Sequence, residues 1–498
     1  MRILLINPPL TGTASNLTVL GLPLGILYIA AVLEKKGKVV EVFDSITCEP
    51  KLETKRIDNE KIHIGASWKR LEDEIRNKKP DIVGISNQFS SQVDNAIRAA
   101  EITKKIDARI ITVVGGPHAS CMPQDFLKKE SIDFVVRGEG EYPFAELVNA
   151  IEKNKSFEKI NNIAFKKEGK NIINPISQID NLDELPFPTY HLLSMENYFG
   201  IIKEGLGRVT LATKHTRQIS LITSRGCPYN CIFCSIHQHM GRKWRANSAE
   251  YVVRHIKYVV DNYAVNHISF EDDNLIVDKE RFEKILDGIR KNNINITWDT
   301  PNGIRADRAD FELLKRMKRS GCSSIKIGVE SGDQHILNSI VGKNLELKKV
   351  VETASACKQL NIPVTAFFII GFPGESKKSI KRTLDFAYTL KKKYYADSVI
   401  TIAIPLIGTK MYDISKEKNY LVGGRNPSEF GGKDGLVIET ENFNLDYLKR
   451  ERNRFYKRVI LLQILQTIKK PSTLLRYRWL LRNPKNFMNI LSYLTKTK

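Results

Sequence analysis

The stretch SRGCPYNCIFC (224–234) sets Cys227, Cys231 and Cys234 in the spacing CxxxCxxC. The chain has only four other cysteines, Cys48, Cys121, Cys322 and Cys357. Thiolates bind soft and borderline metals. A structural zinc site usually takes four ligands from two separated pairs, and no fourth cysteine stands beside this loop. Three thiolates from one tight loop suit a four-iron four-sulfur (4Fe-4S) cluster that leaves one iron open to a further ligand. A zinc loop, or three unrelated thiols, are the competing readings. Gly226 and Pro228 suit a chain that wraps a cluster. His237 and His239 follow closely and read as surface or substrate-side groups rather than ligands.

The elements around the loop explain its place. QISLITS (218–224) reads as a strand running into it, and AEYVVRHIKYVVDNY (249–263) as the helix that follows. Further strands are expected at HISFEDD (267–273), NITWDTPN (295–302), SSIKIGVES (323–331), PVTAFFIIGFPGE (363–375) and DSVITIAIP (397–405), with helices between them. Six β/α units are fewer than the eight of a closed barrel, so a partial barrel with one open side is expected. The cysteine loop would then sit on the carboxyl-end face, where barrels carry chemistry.

The first 150 residues also alternate strand and helix. RILLINPP, VVEVFDS, DIVGISNQ, RIITVVGGPH and DFVVRGEGE read as five strands of a parallel, doubly wound sheet. Such sheets bind ligands beyond the carboxyl ends of their strands. Those ends hold Pro8, Ser86, Gln88, Gly115, Gly116, His118, Gly138 and Glu139, mostly small or polar residues that let a ligand approach the backbone. The expected organisation is a Rossmann-like domain at 1–154, a connector with one hairpin at 155–215, the barrel at 216–440 and a basic helical region at 441–498.

The bulk numbers agree. A chain of 498 residues with 42% hydrophobic and 27% charged residues fits two or three globular domains. No apolar run reaches the roughly 18 residues of a membrane span, and MRILLINPPL reads as a strand rather than a signal peptide. A cytoplasmic protein is expected. Net charge is +22, and 14 Lys/Arg against two acids lie between Phe443 and Lys498. That tail mixes Leu, Trp and Tyr with the basic residues. It is read first as a cap on the open barrel, then as an anionic membrane contact, and least as a nucleic-acid surface.

SRGCPYNCIFC resembles the signature of the radical S-adenosylmethionine (SAM) superfamily. The resemblance implies that Cys227, Cys231 and Cys234 hold the 4Fe-4S cluster, that its open iron chelates SAM, and that Phe233 flanks the adenine. FEDD (270–273) stands where the family has its motif for the SAM amino group, which implies roles for Glu271, Asp272 and Asp273, although the glycine-rich form is absent. Glu330 in IGVESGD resembles the group that hydrogen-bonds the ribose. Gly371 and Gly374 in GFPGES suit a turn beside adenine. LINPP, GLPLGILYIAAVLEKKG, VVGGPHAS and VVRGEGEYPF resemble the cobalamin-binding domain fused ahead of such barrels, so that the likeness covers roughly residues 1–440. The DxHxxG pattern, whose His ligates cobalt, is absent, as it commonly is in this class. His118 at a strand end could still approach a ligand.

The implied activity is methyl transfer through methylcobalamin to an unactivated carbon of a small-molecule or lipid-like substrate, after reductive cleavage of SAM to a 5′-deoxyadenosyl radical. An external reductant of flavodoxin or ferredoxin type would be needed. Asp299 and Asn302 are further candidates to line the cavity. A radical SAM cyclase without methyl transfer has the same two domains, and a non-catalytic cobalamin-binding protein would not need the cysteine loop. Nucleic-acid modifiers of the superfamily carry a further cysteine-rich domain that this sequence lacks. The sequence names neither the substrate nor the oligomeric state.

Overall fold

The structure is a computed structural model and describes residues 1–13, 21–58, 61–203, 217–424 and 435–469. The tail beyond Lys469, read above as a cap or membrane contact, lies outside the described residues.

All five strands expected in the first 150 residues are present and mutually parallel. They are Arg2–Asn7, Val39–Asp44, Ile82–Ser86, Ile111–Gly115 and Phe134–Val136. Across the sheet the order is Phe134–Val136, Ile111–Gly115, Ile82–Ser86, Arg2–Asn7, Val39–Asp44. RILLIN is apolar almost throughout because both faces of its strand are covered. Ile3 and Leu5 join one core, Leu4 and Ile6 the other, as the period of two requires. The stretch expected to be a connector does more than connect. Its hairpin, Ile163–Lys167 and Lys170–Ile173, extends the same sheet through an antiparallel pairing with Phe134–Val136.

The six strands expected after residue 216 are also present, at Gln218–Leu221, His267–Phe270, Thr297–Ile304, Cys322–Glu330, Val364–Ile370 and Asp397–Ile402. They form one all-parallel sheet in chain order. Ile325, Ile327 and Val329, and likewise Ala366, Phe368 and Ile370, are buried under the covering helices. The alternate residues face the other way. Helix starts are set locally: Ser248 accepts from the Tyr251 amide ahead of Ala249–Tyr263, and Asp310 from the Leu313 amide ahead of Phe311–Arg319.

The last described helix, Leu445–Lys469, closes the final edge of this sheet. Leu448 sits against Gly371, where a Cβ would lie 2.7 Å from its Cδ1. The Ile400 amide on the edge strand donates to the Tyr456 hydroxyl at 2.9 Å, so an edge that would otherwise invite pairing is capped. Among the described residues no helix is long and apolar enough to cross a membrane.

Candidate functional site

The cysteine loop is rooted in a two-residue antiparallel pair, Ser224–Arg225 with Arg245–Ala246. Asp272, fully buried at the end of the neighbouring strand, holds that root. It accepts from the Thr223 amide at 3.2 Å, the Thr223 hydroxyl at 2.8 Å and the Ser224 hydroxyl. Arg281 holds the root from the other side, donating to the carbonyls of Thr223 at 2.9 Å and Asn247 at 2.5 Å. Asp272 was expected beside the SAM amino group; its carboxylate is instead committed to positioning the loop.

Within the loop, the Cys227 amide donates to Gly241 O and the Ile232 amide to Val341 O at 3.0 Å. Gly226 has φ +82°, and a Cβ there would lie 2.3 Å from Lys243 O. His237 donates to the Cys227 carbonyl at 3.0 Å. It therefore shapes the loop rather than extending the ligand set. Burial pushes the Cys234 thiol up to about 12 and raises that of Cys231, which the Lys343 and Arg305 cations partly oppose. Thiols so placed give up their protons readily only to a metal.

These residues fit a cluster held by three thiolates. Asn274 Nδ2 lies 3.7 Å from Cys227 Sγ, and the cations of Lys343 and Arg305 stand near enough to offset thiolate charge. Arg305 also lies 3.8 Å over the ring of Tyr229, between the first two cysteines. Among the described residues no three His, Cys, Asp or Glu side chains are close enough to grip a single metal ion.

Most SAM candidates converge on this loop. Phe233 meets Phe372 at 5.9 Å between ring centroids, which brings it to the Gly371–Gly374 turn. Gly371 and Gly374 have φ +95° and +99°, conformations that favour glycine. The turn is fixed by Glu375, whose Oε2 accepts from the amides of Gly371 at 2.7 Å and Phe372 at 3.0 Å. Glu375 is fully buried, its other oxygen lacks a partner, and burial raises its carboxyl to about 7. Glu330 ends its strand at φ +70° and pairs with Lys343 Nζ at 2.7 Å. Glu271 accepts from the Ser220 hydroxyl at 3.1 Å, and Asp273 beside it has its side chain open to solvent, while the protein packed round its carboxyl and then the Asp272 charge raise it to about 7. Asn302 is exposed and donates to Glu271 O at 2.6 Å. Asp299, expected to line the cavity, is buried with His267 Nε2 3.5 Å away.

Described residues of both sheets line one shared cavity. Ser86, Gly115, Gly116, Gly138 and Glu139 line it from the first, as expected from the strand ends; Ile222, Arg225, His239 and Met240 line it from the cysteine-loop side. Pro8, Gln88 and His118 do not. His118 is buried and committed, with Nδ1 3.0 Å from Ser90 Oγ and Nε2 3.2 Å from Asp125 Oδ2. Gln88 instead donates to Asn7 Oδ1 at 3.4 Å. The sequence reading missed Tyr28 and Arg225 on the wall; His239, read as a surface or substrate-side group, and Glu141 of the glycine-rich strand end also line it. Burial holds the His239 imidazole down to about 4. The arginines flanking the cysteine loop and the acids of RGEGE were the available signal.

Comparison with known proteins places this geometry. Residues 221–387 match the Radical SAM superfamily model, and residues 11–148 match the B12 binding domain model. An uncharacterized methyltransferase of Pyrococcus horikoshii is 31% identical over 432 residues, covering 85% of this chain and 84% of its own. The chain belongs to the cobalamin-dependent radical SAM methyltransferase family. It is thus an enzyme of that family, which is the recognition the motifs implied. The cytidylyl-2-hydroxyethylphosphonate methyltransferase of Streptomyces wedmorensis is 29% identical, covering 82% of this chain and 80% of its own. The structure of the radical SAM methyltransferase TsrM from Kitasatospora setae, with cobalamin and a [4Fe-4S] cluster bound, superposes with a TM-score of 0.69 at 16% identity over 90% of this chain and 89% of its own. The cobalamin-dependent enzyme OxsB, with aqua-cobalamin bound, gives a TM-score of 0.70 at 17% identity over 99% of this chain and 78% of its own. At that identity these two establish the mixed α/β fold with parallel sheets.

Proposed function

We propose that this member methylates an unactivated carbon of a small-molecule or lipid-like substrate, with 4Fe-4S, SAM and cobalamin as cofactors. The observation that carries the reading is the shared cavity: Gly115, Gly116 and Gly138 of the first sheet and His239 and Met240 of the cysteine loop line it together. When bound, the cluster with SAM supplies a hydrogen-abstracting radical, and cobalamin supplies the methyl group.

The chain's residues take these parts. Cys227, Cys231 and Cys234 hold the cluster. Phe233, Gly371 and Gly374 border the adenine, Glu330 with Lys343 binds the ribose side, and Glu271 and Asp273 meet the amino group. Ser86, Gly115, Gly116, Gly138 and Glu139 would border the corrin, while His118 stays bonded to Ser90 and Asp125. The six-stranded sheet is read as a partial (β/α)6 barrel, and the first unit as running through the hairpin to Ile173 rather than ending at 154. A flavodoxin or ferredoxin type protein would supply electrons. The protein is placed in the cytoplasm. Leu461, Ile464 and Leu465, exposed on the last helix near basic residues, suit contact with an anionic membrane surface. Retained vesicle binding by a chain truncated after Lys469, or none by the full chain, bears directly on that contact.

The test is cobalt retention. The protein is purified without oxygen, reconstituted with iron and sulfide, given hydroxocobalamin and desalted. About one cobalt per chain is expected, the load of a single built cofactor site, with S-adenosylhomocysteine and 5′-deoxyadenosine both formed in assays. No cobalt beside an intact cluster overturns the proposal. Deoxyadenosine without S-adenosylhomocysteine would favour the cyclase reading, which draws on 25% identity to the anaerobic magnesium-protoporphyrin IX monomethyl ester cyclase of Rubrivivax gelatinosus.

A further inference from the structure

Four charged side chains are buried together on the seam between the two sheets. Glu139, Glu141, Arg225 and Arg245 are 3%, 4%, 8% and 4% exposed. Arg225 donates to Glu141 Oε1 at 2.5 Å and approaches Glu139 Oε1 at 3.3 Å. Arg245 donates to Glu139 Oε2 at 2.8 Å, and the Ile179 amide donates to the same oxygen at 2.6 Å. Two positive and two negative charges make the group neutral. Each charge faces an opposite one, the condition under which ions are tolerated away from water.

The placement of the four gives the group its meaning. Glu139 lies in the turn after the first-sheet strand Phe134–Val136, and Glu141 opens the helix Glu141–Glu152 that follows it. The arginines face each other on the pair that roots the cysteine loop, Arg225 opposite Arg245. Everything between them, residues 226–244, is that loop. Arg245 also donates to Met240 O at 3.0 Å, inside the loop, and to Ile179 O at 2.6 Å, outside it. Met240 and His239 in turn line the cavity. The loop therefore cannot slide along the strand ends without stranding a buried charge, which is strongly unfavourable.

We infer that Glu139, Glu141, Arg225 and Arg245 are positioning residues that fix the cysteine loop against the cavity, and so set the distance between the cluster and the corrin. The inference rests on the reading that both groups bind here. It goes beyond that reading in assigning the register of the two sites to one ion lattice rather than to the general fit of the two domains.

Arg245 is the residue to change, because it neither lines the cavity nor carries a thiol. Arg245→Lys keeps the charge and loses the planar fork. Arg245→Gln removes the charge and keeps a side-chain amide, while Glu139 keeps Arg225 at 3.3 Å. In reconstituted, cobalamin-loaded and reduced protein, the electron-spin relaxation of cob(II)alamin reports the distance to the paramagnetic cluster. Both variants are expected to retain iron, with the relaxation changed about twofold or more, since a site whose supporting shell is loosened drifts by about 1 Å. A second measurement needs no cofactor. Amide exchange in Arg245→Lys is expected to rise about tenfold across both 226–244 and 138–141, as a cooperative local opening would require. Wild-type relaxation together with wild-type exchange in either folded variant overturns the inference, as does faster exchange confined to the substituted strand. Wild-type protein without cobalt defeats the two-cofactor reading instead, and the exchange measurement still decides the lattice.

Discussion

Glu330 stands in the left-handed region at φ +70°, with its carboxylate 2.7 Å from the ammonium of Lys343. Both side chains are nearly buried, and Gly328 leaves the space they fill, since a Cβ there would lie 2.8 Å from each charged atom. A non-glycine residue at such a φ costs on the order of 1–3 kcal/mol and persists where the surroundings over-determine it, often at functional sites. The pair also lies close enough to Cys231 to act on its thiol.

Lys343→Met is expected to destabilise the protein by about 3–5 kcal/mol, because it leaves the Glu330 carboxylate buried and alone. The double variant Lys343→Met, Glu330→Gln removes both charges and is expected to recover most of that loss while SAM affinity stays low. Urea denaturation and calorimetric titration with SAM separate the two effects. Wild-type SAM affinity in the double variant would show that the pair has no part in binding.

The neighbouring acids 272 and 273 are expected to behave oppositely. Asp272→Ala strands the donors of Thr223 and Ser224, at about 1–3 kcal/mol for each unsatisfied group, and loosens the root of the cysteine loop. Iron per chain after anaerobic reconstitution should fall with the stability. Asp273→Asn, at an exposed position, should leave stability within about 0.5 kcal/mol and weaken SAM binding. Equal iron loading in the two variants would remove the positioning role given to Asp272.

Glu375 predicts a pH dependence. Its carboxyl sits near 7 in the fold, raised by burial from an ordinary 4.5. The folded state therefore holds the proton more tightly than the unfolded chain. The stability this contributes is fully present below 4.5 and is lost as pH rises through 7. Glu375→Gln never ionises, so it should gain on wild type by about 3 kcal/mol between pH 4.5 and pH 8. Urea midpoints at both pH values measure this, and a difference independent of pH would mean the carboxyl ionises as freely in the fold as outside it.

Two glycines on the cavity wall separate fold from binding. A Cβ on Gly116, at φ +129°, would lie 2.1 Å from Asn87 O, whereas one on Gly25 meets nothing within 4 Å. Gly116→Ala is expected to destabilise by more than about 1 kcal/mol, because the clash is with backbone. Gly25→Ala, inside the helix Leu24–Lys35, should keep or raise stability by up to about 1 kcal/mol while narrowing the cavity. Cobalt retention should drop in both. Full cobalt loading in Gly25→Ala would place the corrin elsewhere.

Much of this protein was legible without coordinates. The eleven strands of the two sheets' parallel cores were read from apolar runs between turn residues, since a parallel strand covered on both faces must be apolar along its length. The three thiolates were read from their spacing, which a local loop fixes by itself. The glycine-rich strand ends located one wall of the cavity. These are properties of short stretches of chain, so sequence alone determined them.

Tertiary structure decided which polar residues are free to act. Asp272 and Asp273 are adjacent in sequence, yet one is spent on the loop root and the other is open. His118, which at a strand end could approach a ligand, is held by Ser90 and Asp125, and of the two places open to His239, surface or substrate side, the fold selects the cavity wall. The ion lattice joins residues 84 and 106 positions apart, and no local pattern encodes which arginine will meet which acid. Burial and partnership depend on how two sheets meet, and that meeting is a property of the folded chain.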